Sequence, residues 1–356
     1  MAEAAHVSFQ IYCEQIKPEE VKMNEQDLIN ALGPLAPLYS DPTVQEIMVD
    51  AHDRVSIVRH IDYTGKLEDV ASPFKSPEEV RAVIDAILAL GGITLGPDKT
   101  IGETRFPDGS RFLTVLPPNA LDEPCFVIRR FPTKPITWDM LLEFGAVSRE
   151  AYEFFQGAIR AKVNILVAGG TGSGKTTLAN RLAELVPPDE RVIVVEEVYE
   201  MQVRHPRCLH LEAGGPANVS YGELVVKASC MRPDWLIVGE LYGPEAMHAL
   251  RVMSHGHTGL ATMHANSVED TLAELEALCL MANMGLGLGE IRRLIASAIR
   301  LITYQEFVPS RQSRRITHIV ELCGVENDRY VLRPLFRYNA EKEKLEATGA
   351  KPAWES

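Results

Sequence analysis

Gly169-Gly170-Thr171-Gly172-Ser173-Gly174-Lys175-Thr176 is the stretch on which the reading turns. It fits G-x-x-x-x-G-K-[ST], and its surroundings make the pattern meaningful. The apolar run Ile165-Leu166-Val167 precedes it, and Leu178, Leu182 and Leu185 follow at helical spacing. A strand, a glycine turn and a helix in that order let backbone N–H groups point inward at a polyphosphate. The helix then presents its positive end to the same anion. Lys175 would hold the β- and γ-phosphates and the Thr176 hydroxyl would ligate Mg²⁺, so ATP and Mg²⁺ are the implied ligands. Gly169, Gly170, Thr171, Gly172, Ser173, Gly174 and Thr177 complete the expected lining. A glycine-rich turn without a ligand is the competing reading. Four glycines running into Lys-Thr between a strand and a helix argue against it.

Outward from this loop, strand-like and helix-like segments alternate. Helices are expected over 149–161, 175–185, 221–229 and 244–253, and strands over 164–168, 191–195, 235–238 and 259–263. Such alternation predicts an α/β domain, a mostly parallel sheet with helices on both faces. A tail of helices and one hairpin, 316–322 with 330–334, is expected to follow, then a disordered tail over 341–356. Upstream, a smaller α+β domain is expected over 26–131. It has strands at 45–49, 54–58, 111–116 and 126–130, with a short helix at 26–32. A second helix should start at Ser76-Pro77-Glu78-Glu79 and stop at Gly91-Gly92. Residues 1–25 read as a tail or short strand, and 132–136, with Pro132 and Pro135, as a semi-rigid linker. The second domain would then cover 137–340.

The 356 residues are 46% hydrophobic and 24% charged, enough apolar matter for two ordinary cores. A formal net charge of −13 argues against a broad nucleic-acid surface. No run approaches the roughly 18 apolar residues that span a bilayer. The first residues lack the basic start and apolar core of a secretory signal. A cytoplasmic chain is expected, reaching a membrane only through a partner. The six cysteines, Cys13, Cys125, Cys208, Cys230, Cys279 and Cys323, form no Cys-x-x-Cys pair and read as buried thiols in a reducing compartment.

Hydrolysis needs a carboxylate at a neighbouring strand end to orient the metal and the attacking water. Two segments offer one: Trp235-Leu236-Ile237-Val238-Gly239-Glu240, and Val192-Ile193-Val194-Val195-Glu196-Glu197-Val198-Tyr199-Glu200. A solvated strand cap is the bland alternative for each acid, and two such strands after one phosphate loop favour a catalytic role for at least one. His257 and His264, in Gly256-His257-Thr258-Gly259 and Thr262-Met263-His264-Ala265-Asn266, could relay hydrogen bonds to a phosphate.

These segments, in this order after the loop, resemble the ATPases of type II and type IV secretion and of type IV pili. Glu196 to Glu200 corresponds to that superfamily's Asp box, Arg232 to Glu240 to its Walker B segment, and Gly256 to Ser267 to its His box. Thr43 to Val49, Phe106 to Arg111, Val115 to Leu121 and Phe126 to Phe131 are most similar to the tight-adherence (Tad/Flp) pilus motors. The likeness covers roughly 41–322. It implies a homohexamer with a RecA-like C-terminal domain, working with an inner-membrane platform protein at the inner face of the cell membrane. It also implies nucleotide held between the two domains. On this resemblance Lys175 and Thr176 take the P-loop roles, Glu200 the catalytic Asp-box role, Glu240 the Walker B role with a share of the metal, and His257 and His264 the His-box roles. Arg111, Arg129 and Arg130 fall where the family's N-terminal domain offers arginines to phosphates. Cations from a second domain could sense the terminal phosphate, and an ion pair or plain surface charge is the alternative for each.

The sequence departs from the family pattern at several points. Glu197 stands where aspartate is common, Tyr242 where arginine is frequent, the two histidines are seven residues apart, and no tetracysteine module is present. Three functions fit: a motor ATPase, a DNA-translocating ATPase, or a nucleotide-gated scaffold without turnover. The acidic balance and the lack of a basic, aromatic groove disfavour the second.

Overall fold

The computed structural model describes residues 23–59, 66–131, 135–214, 218–308 and 313–355. The expected N-terminal tail lies almost wholly outside these residues, as does the middle of the expected linker. The chain divides into two compact units, Met1–Thr133 and Lys134–Ser356.

The first unit pairs a six-stranded sheet with helices. Helix α1 (Glu25–Leu32) is capped by the Asn24 side chain, which accepts from the Asp27 amide. A 3₁₀ turn (Gly33–Leu35) leads into the short α2 (Ala36–Ser40). Strands β1 (Val44–Ala51), β2 (Arg54–Arg59) and β3 (Leu67–Val70), helix α3 (Pro77–Leu90), and strands β4 (Ile101–Arg105), β5 (Arg111–Val115) and β6 (Cys125–Arg129) follow. The strand order is β3-β2-β1-β6-β5-β4, antiparallel throughout. Alternation decides the faces. Ile47, Val49, Ile57, Phe112, Phe126 and Ile128 pack with Leu28, Leu32, Ile84 and Ile87 from α1 and α3. Residues at the intervening positions, among them Leu113, Val127 and Arg129, are exposed. The helix expected at Ser76 forms, with a different cap. Glu79 reaches back to the Lys75 amide at 2.8 Å, while the Ser76 side chain makes no amide cap.

The second unit holds α4 (Trp138–Glu143), α5 (Arg149–Arg160), β7 (Ile165–Gly169), α6 (Lys175–Ala183), β8 (Val192–Glu196), β9 (Cys208–Glu212) and α7 (Tyr221–Ser229). Then come β10 (Trp235–Leu241), α8 (Glu245–Ser254), β11 (Thr258–His264), α9 (Val268–Met281), α10 (Leu288–Ala298), β12 (Leu301–Val308), β13 (Ser313–Glu326), β14 (Arg329–Asn339) and β15 (Lys344–Ala347). The nine-stranded order is β15-β14-β13-β12-β7-β11-β10-β8-β9. Strands β12 to β9 in that order are parallel, and β12 to β15 pair antiparallel.

Each central strand is divided between two cores by the same period of two. Leu166, Ala168, Ile193, Val195, Leu236, Val238, Ala261 and Met263 face helices α7 to α10. Ile165, Val167, Val192, Val194, Trp235, Ile237 and Leu260 face α5 and α6. Each fully buried Leu, Ile or Val contributes about 1.5–3 kcal/mol, so burial on both faces fixes the register of these strands firmly. Parallel strands then bring all their C-terminal ends to one edge, where α/β sheets place their ligands.

This confirms the α/β class and corrects its C-terminal part. After α9 and α10 the chain is β rather than helical: β12 joins the parallel core and the expected hairpin extends to Ser313–Asn339. The tail expected to be disordered is ordered over most of its length. Strand β15 pairs with β14 and buries Leu345, and Trp354 sits 5.8 Å from Phe154, ring to ring. A few apolar residues with a sheet edge to join suffice to order a polar segment. The cysteines depart from expectation: Cys279 is buried, Cys125, Cys208 and Cys323 are half-buried and Cys230 is exposed, while Cys13 lies outside the described residues.

Candidate active site

The loop between β7 and α6 has the conformation its glycines permit. Gly172 and Gly174 lie at φ +68° and +97°, where side chains are strained. At Gly169 a Cβ would meet the Gln305 carbonyl oxygen at 2.2 Å and Ser173 Oγ at 2.6 Å, so only glycine fits. Gly174 is the N-cap of α6, and no side chain caps it among the described residues. The first-turn amides are therefore available to an anion, and the helix dipole favours one. These features suit a polyphosphate.

Lys175 is buried, 6% exposed. Its ammonium donates to the carbonyls of Gly169 (3.1 Å) and Gly170 (3.0 Å) and to His264 Nδ1 (3.1 Å). Burial lowers its pKa, and Glu240 acts the other way. An ammonium can only donate, so His264 Nδ1 accepts and the ring proton resides on Nε2. That nitrogen lies 2.8 Å from Glu240 Oε1. Lys175 is hydrogen-bonded to His264, and His264 lies in close contact with Glu240, whose Oε1 has no hydrogen-bond partner among the described residues, so the three side chains bring the loop and two neighbouring strand ends together. Strand pairing dictates it: His264 is in register with Gly169. Strand β10 carries one extra residue between Val238 and Leu241 relative to β11, a bulge that re-aims the segment bearing Glu240. Thr262, buried in β11, donates its hydroxyl to the Gly239 carbonyl and steadies the bulge. Thr176, partly buried, and Glu240 offer the oxygen donors that suit Mg²⁺.

The three acids at and beyond the end of β8 separate by environment. Glu196 is 4% exposed and its Oε1 accepts from the amides of Glu200 and Met201, both at 2.9 Å. Burial pushes its pKa up to about 7, against those two amides. Its place in the interior makes it an anchor for the following loop, a correction to the expectation that it acts directly. Glu197 and Glu200 are exposed.

One other expected residue of this unit, His257, is not gathered here. His257 precedes β11 and His264 ends it, so about 20 Å of strand separates them. Within this chain His257 belongs to the opposite edge of the sheet. The arginines belong to the first unit. Arg111 and Arg129 are cross-strand neighbours, paired with Glu103 (2.6 Å) and Glu46 (2.8 Å). Arg130 is structural: it donates to the carbonyls of Asp41 and Val44 and lies over the Tyr39 ring at 5.0 Å.

Several neighbours of the loop went unread in the sequence. Tyr221 places its hydroxyl between the Val195 carbonyl (3.2 Å) and the Glu240 amide (3.3 Å). Glu245, buried, accepts from the amides of Tyr242 and Gly243. Arg314 runs past Gly174, its Cδ 3.7 Å from the place of a Cβ there, and burial lowers its pKa. Tyr221 and Arg314 carry no local mark, because each reaches the site from a distant element, whereas Glu245 binds amides two and three residues before it at a helix start.

Comparison with known proteins shows the family. The chain is 30% identical over 82% of its length to the conjugal transfer protein TrbB of Rhizobium radiobacter, covering 87% of that protein. It is 32% identical to the type IV secretion system protein VirB11 of Bartonella henselae over 54% of each chain. Among solved structures, the ATPase DotB of Yersinia pseudotuberculosis (TM-score 0.61, 16% identity, 84% of this chain and 80% of that one) shares the fold. So does the pilus retraction motor PilT (0.55, 14%, 89% and 83%). The model of the family described as "Type II/IV secretion system protein" matches residues 30–340, and the chain belongs to that family, the secretion and pilus ATPases.

Proposed function

We propose that this chain hydrolyses ATP with Mg²⁺ as a homohexameric motor of a pilus or secretion machine. It would act on an inner-membrane platform protein from the cytoplasmic face, without binding nucleic acid itself. The observation that carries the chemistry is the meeting of Lys175, His264 and Glu240 at the open edge of the parallel sheet. Likeness to a conjugal transfer protein and to VirB11 supports the secretion arm. The motifs at 43–49, 106–111, 115–121 and 126–131 support the tight-adherence pilus arm.

Lys175 is already desolvated and held by two loop carbonyls and an imidazole. Exchanging these for phosphate oxygens strengthens its hydrogen bonds without a new desolvation cost. The amides of α6's first turn hold the remaining phosphate charge. Mg²⁺ on Thr176 and Glu240 would neutralise charge on the transferring group. Glu240 then accepts the proton of the attacking water as its oxygen bonds the γ-phosphorus and ADP departs. His264 keeps that carboxylate aimed. Glu200, on the loop anchored by Glu196, is the alternative base.

Steady-state phosphate release with Glu240→Gln tests this. Nucleotide affinity should stay within about threefold while kcat falls about 100-fold or more. Near-normal turnover would move the base to Glu200, and a wild-type protein that releases no phosphate would overturn the ATPase reading.

A further inference from the structure

The glycine loop before α6 has two flanks. In the sheet, β7 stands between β11 on one side and β12 on the other. Strands β11 and β10 carry His264 and Glu240, which meet Lys175. A triphosphate seated in the loop with its terminal phosphate toward them directs its first phosphate and its nucleoside to the opposite flank. That flank is built from β12 and β13. The Gln305 carbonyl of β12 lies against Gly169. On β13, Arg314 shares a face with Ile316, two residues on, and Ile316 packs in the core of α5 and α6. The Arg314 side chain runs to the α6 end of the loop, where its Cδ stands 3.7 Å from the place of a Cβ on Gly174.

Arg314 and Arg315 are adjacent and differently employed. Arg315 donates to the Gly145 carbonyl (2.7 Å) and the Ser313 hydroxyl (3.1 Å), and lies over the Tyr338 ring. Arg314 is half-buried, and its Nε is closed to solvent with no hydrogen-bond partner among the described residues. Burial lowers its pKa, with no acid acting the other way. A cation taken partly out of water without a counter-charge costs stability. Beside a loop shaped for anions, a bound phosphate would supply that counter-charge.

We propose that Arg314 is a second cation of the nucleotide site, one that binds the α-phosphate while Lys175 binds the β- and γ-phosphates. A guanidinium suits the post, because it stays charged and can donate two parallel N–H bonds to one phosphate. The proposal rests on the ATPase reading for the identity of the ligand.

The test uses full-length protein, Arg314→Met and Arg314→Lys, titrated with ATP, ADP and inorganic pyrophosphate and melted with and without ADP. Methionine keeps much of the side chain's length and removes the charge. ATP and ADP each carry an α-phosphate, so both should bind Arg314→Met about tenfold more weakly or worse. Pyrophosphate has only the two phosphates that Lys175 holds, and its affinity should stay within about twofold. Arg314→Lys keeps the charge and should fall between wild type and Arg314→Met for both nucleotides. Without ligand, Arg314→Met should melt no lower than wild type, because an unpaired charge has been relieved. The upward shift of the midpoint on adding ADP should shrink. A purely structural arginine would do the reverse, lowering the ligand-free midpoint and leaving affinity alone. Unchanged affinity for both nucleotides, an equal loss for pyrophosphate, or a lower ligand-free midpoint would each overturn the proposal. If wild-type protein binds ATP and Arg314→Met binds it equally, only the role of Arg314 falls. If wild-type protein binds neither nucleotide, the ATPase reading falls and takes this one with it.

Discussion

The two sheets of this chain treat polar groups in opposite ways. The nine-stranded sheet is buried on both faces, so its polar residues are driven to the strand ends, and parallel pairing brings those ends to one edge. Lys175, Glu240 and His264 meet there with few competing partners. The six-stranded sheet buries one face only. Its arginines stand on the other face or at its margin, where acids, carbonyls and an aromatic ring already engage them: Glu103 for Arg111, Glu46 for Arg129, and two carbonyls with Tyr39 for Arg130. In one sheet topology concentrates reactive groups. In the other it distributes charges into local pairs.

The sharpest way to break this contrast is Lys175→Ala. Only the parallel sheet should depend on a single cation for ligand binding. Affinity for a fluorescent ATP analogue should drop about 100-fold or more, with the thermal midpoint little changed. Unchanged affinity would mean that the loop amides alone suffice, or that the edge is not a phosphate site.

A buried acid gives the second test. Glu196 has its folded pKa raised to about 7, against an ordinary value near 4.5. The folded protein therefore holds the proton more tightly between those values. Stability from this group is complete below about pH 4.5 and is lost as pH rises through about 7. The neighbours Glu200 and Glu212 push the same way, while burial lowers the pKa of the His210 imidazole, 4.0 Å off. Glu196→Gln keeps an acceptor for the two loop amides and removes the titration. Relative to wild type, its unfolding free energy should be about 3 kcal/mol higher at pH 8 than the same difference at pH 4.5, read from urea melts. A difference that does not change with pH would show that water reaches this carboxylate.

The same contrast explains what could be read in the sequence. The strand–glycine–helix pattern around 165–185 fixed the parallel sheet, because strands buried on both faces are continuous apolar runs. The acids at strand ends were legible for the same reason. Strand β9, with His210 and Glu212 alternating among Cys208, Leu209 and Leu211, reads as a mixed polar segment until β8 is beside it. Strand β12 is rich in β-branched residues and still escaped, because the helices before it suggested a helical tail. His257 could not be separated from His264 by spacing alone, since only the run of β11 shows that they sit at opposite ends. Tyr221 is positioned by contacts with β8 and β10 that leave no mark on its neighbours in sequence, whereas Glu245 binds amides two and three residues before it.

The smallest expected effect separates two adjacent arginines. Arg130 donates to backbone carbonyls at 41 and 44 and covers the ring of Tyr39, whose own hydroxyl bonds Asp108 at 2.7 Å. Removing the guanidinium leaves two carbonyls without their donor at the junction of α2 and β1 and exposes one ring face. Arg130→Ala should therefore destabilise the first unit by about 2 kcal/mol in denaturant melts. Arg129 is more than half exposed, and its bond to Glu46 is a surface pair. Such pairs contribute about 0–1 kcal/mol, so Arg129→Ala should shift stability by less than about 0.5 kcal/mol. If both variants lose stability equally, Arg129 is a structural residue too, and the outer face of this sheet has no side chain to spare for a ligand. If neither does, the contacts of Arg130 are exchangeable with water, and the division between a structural and a surface-paired arginine on this sheet disappears.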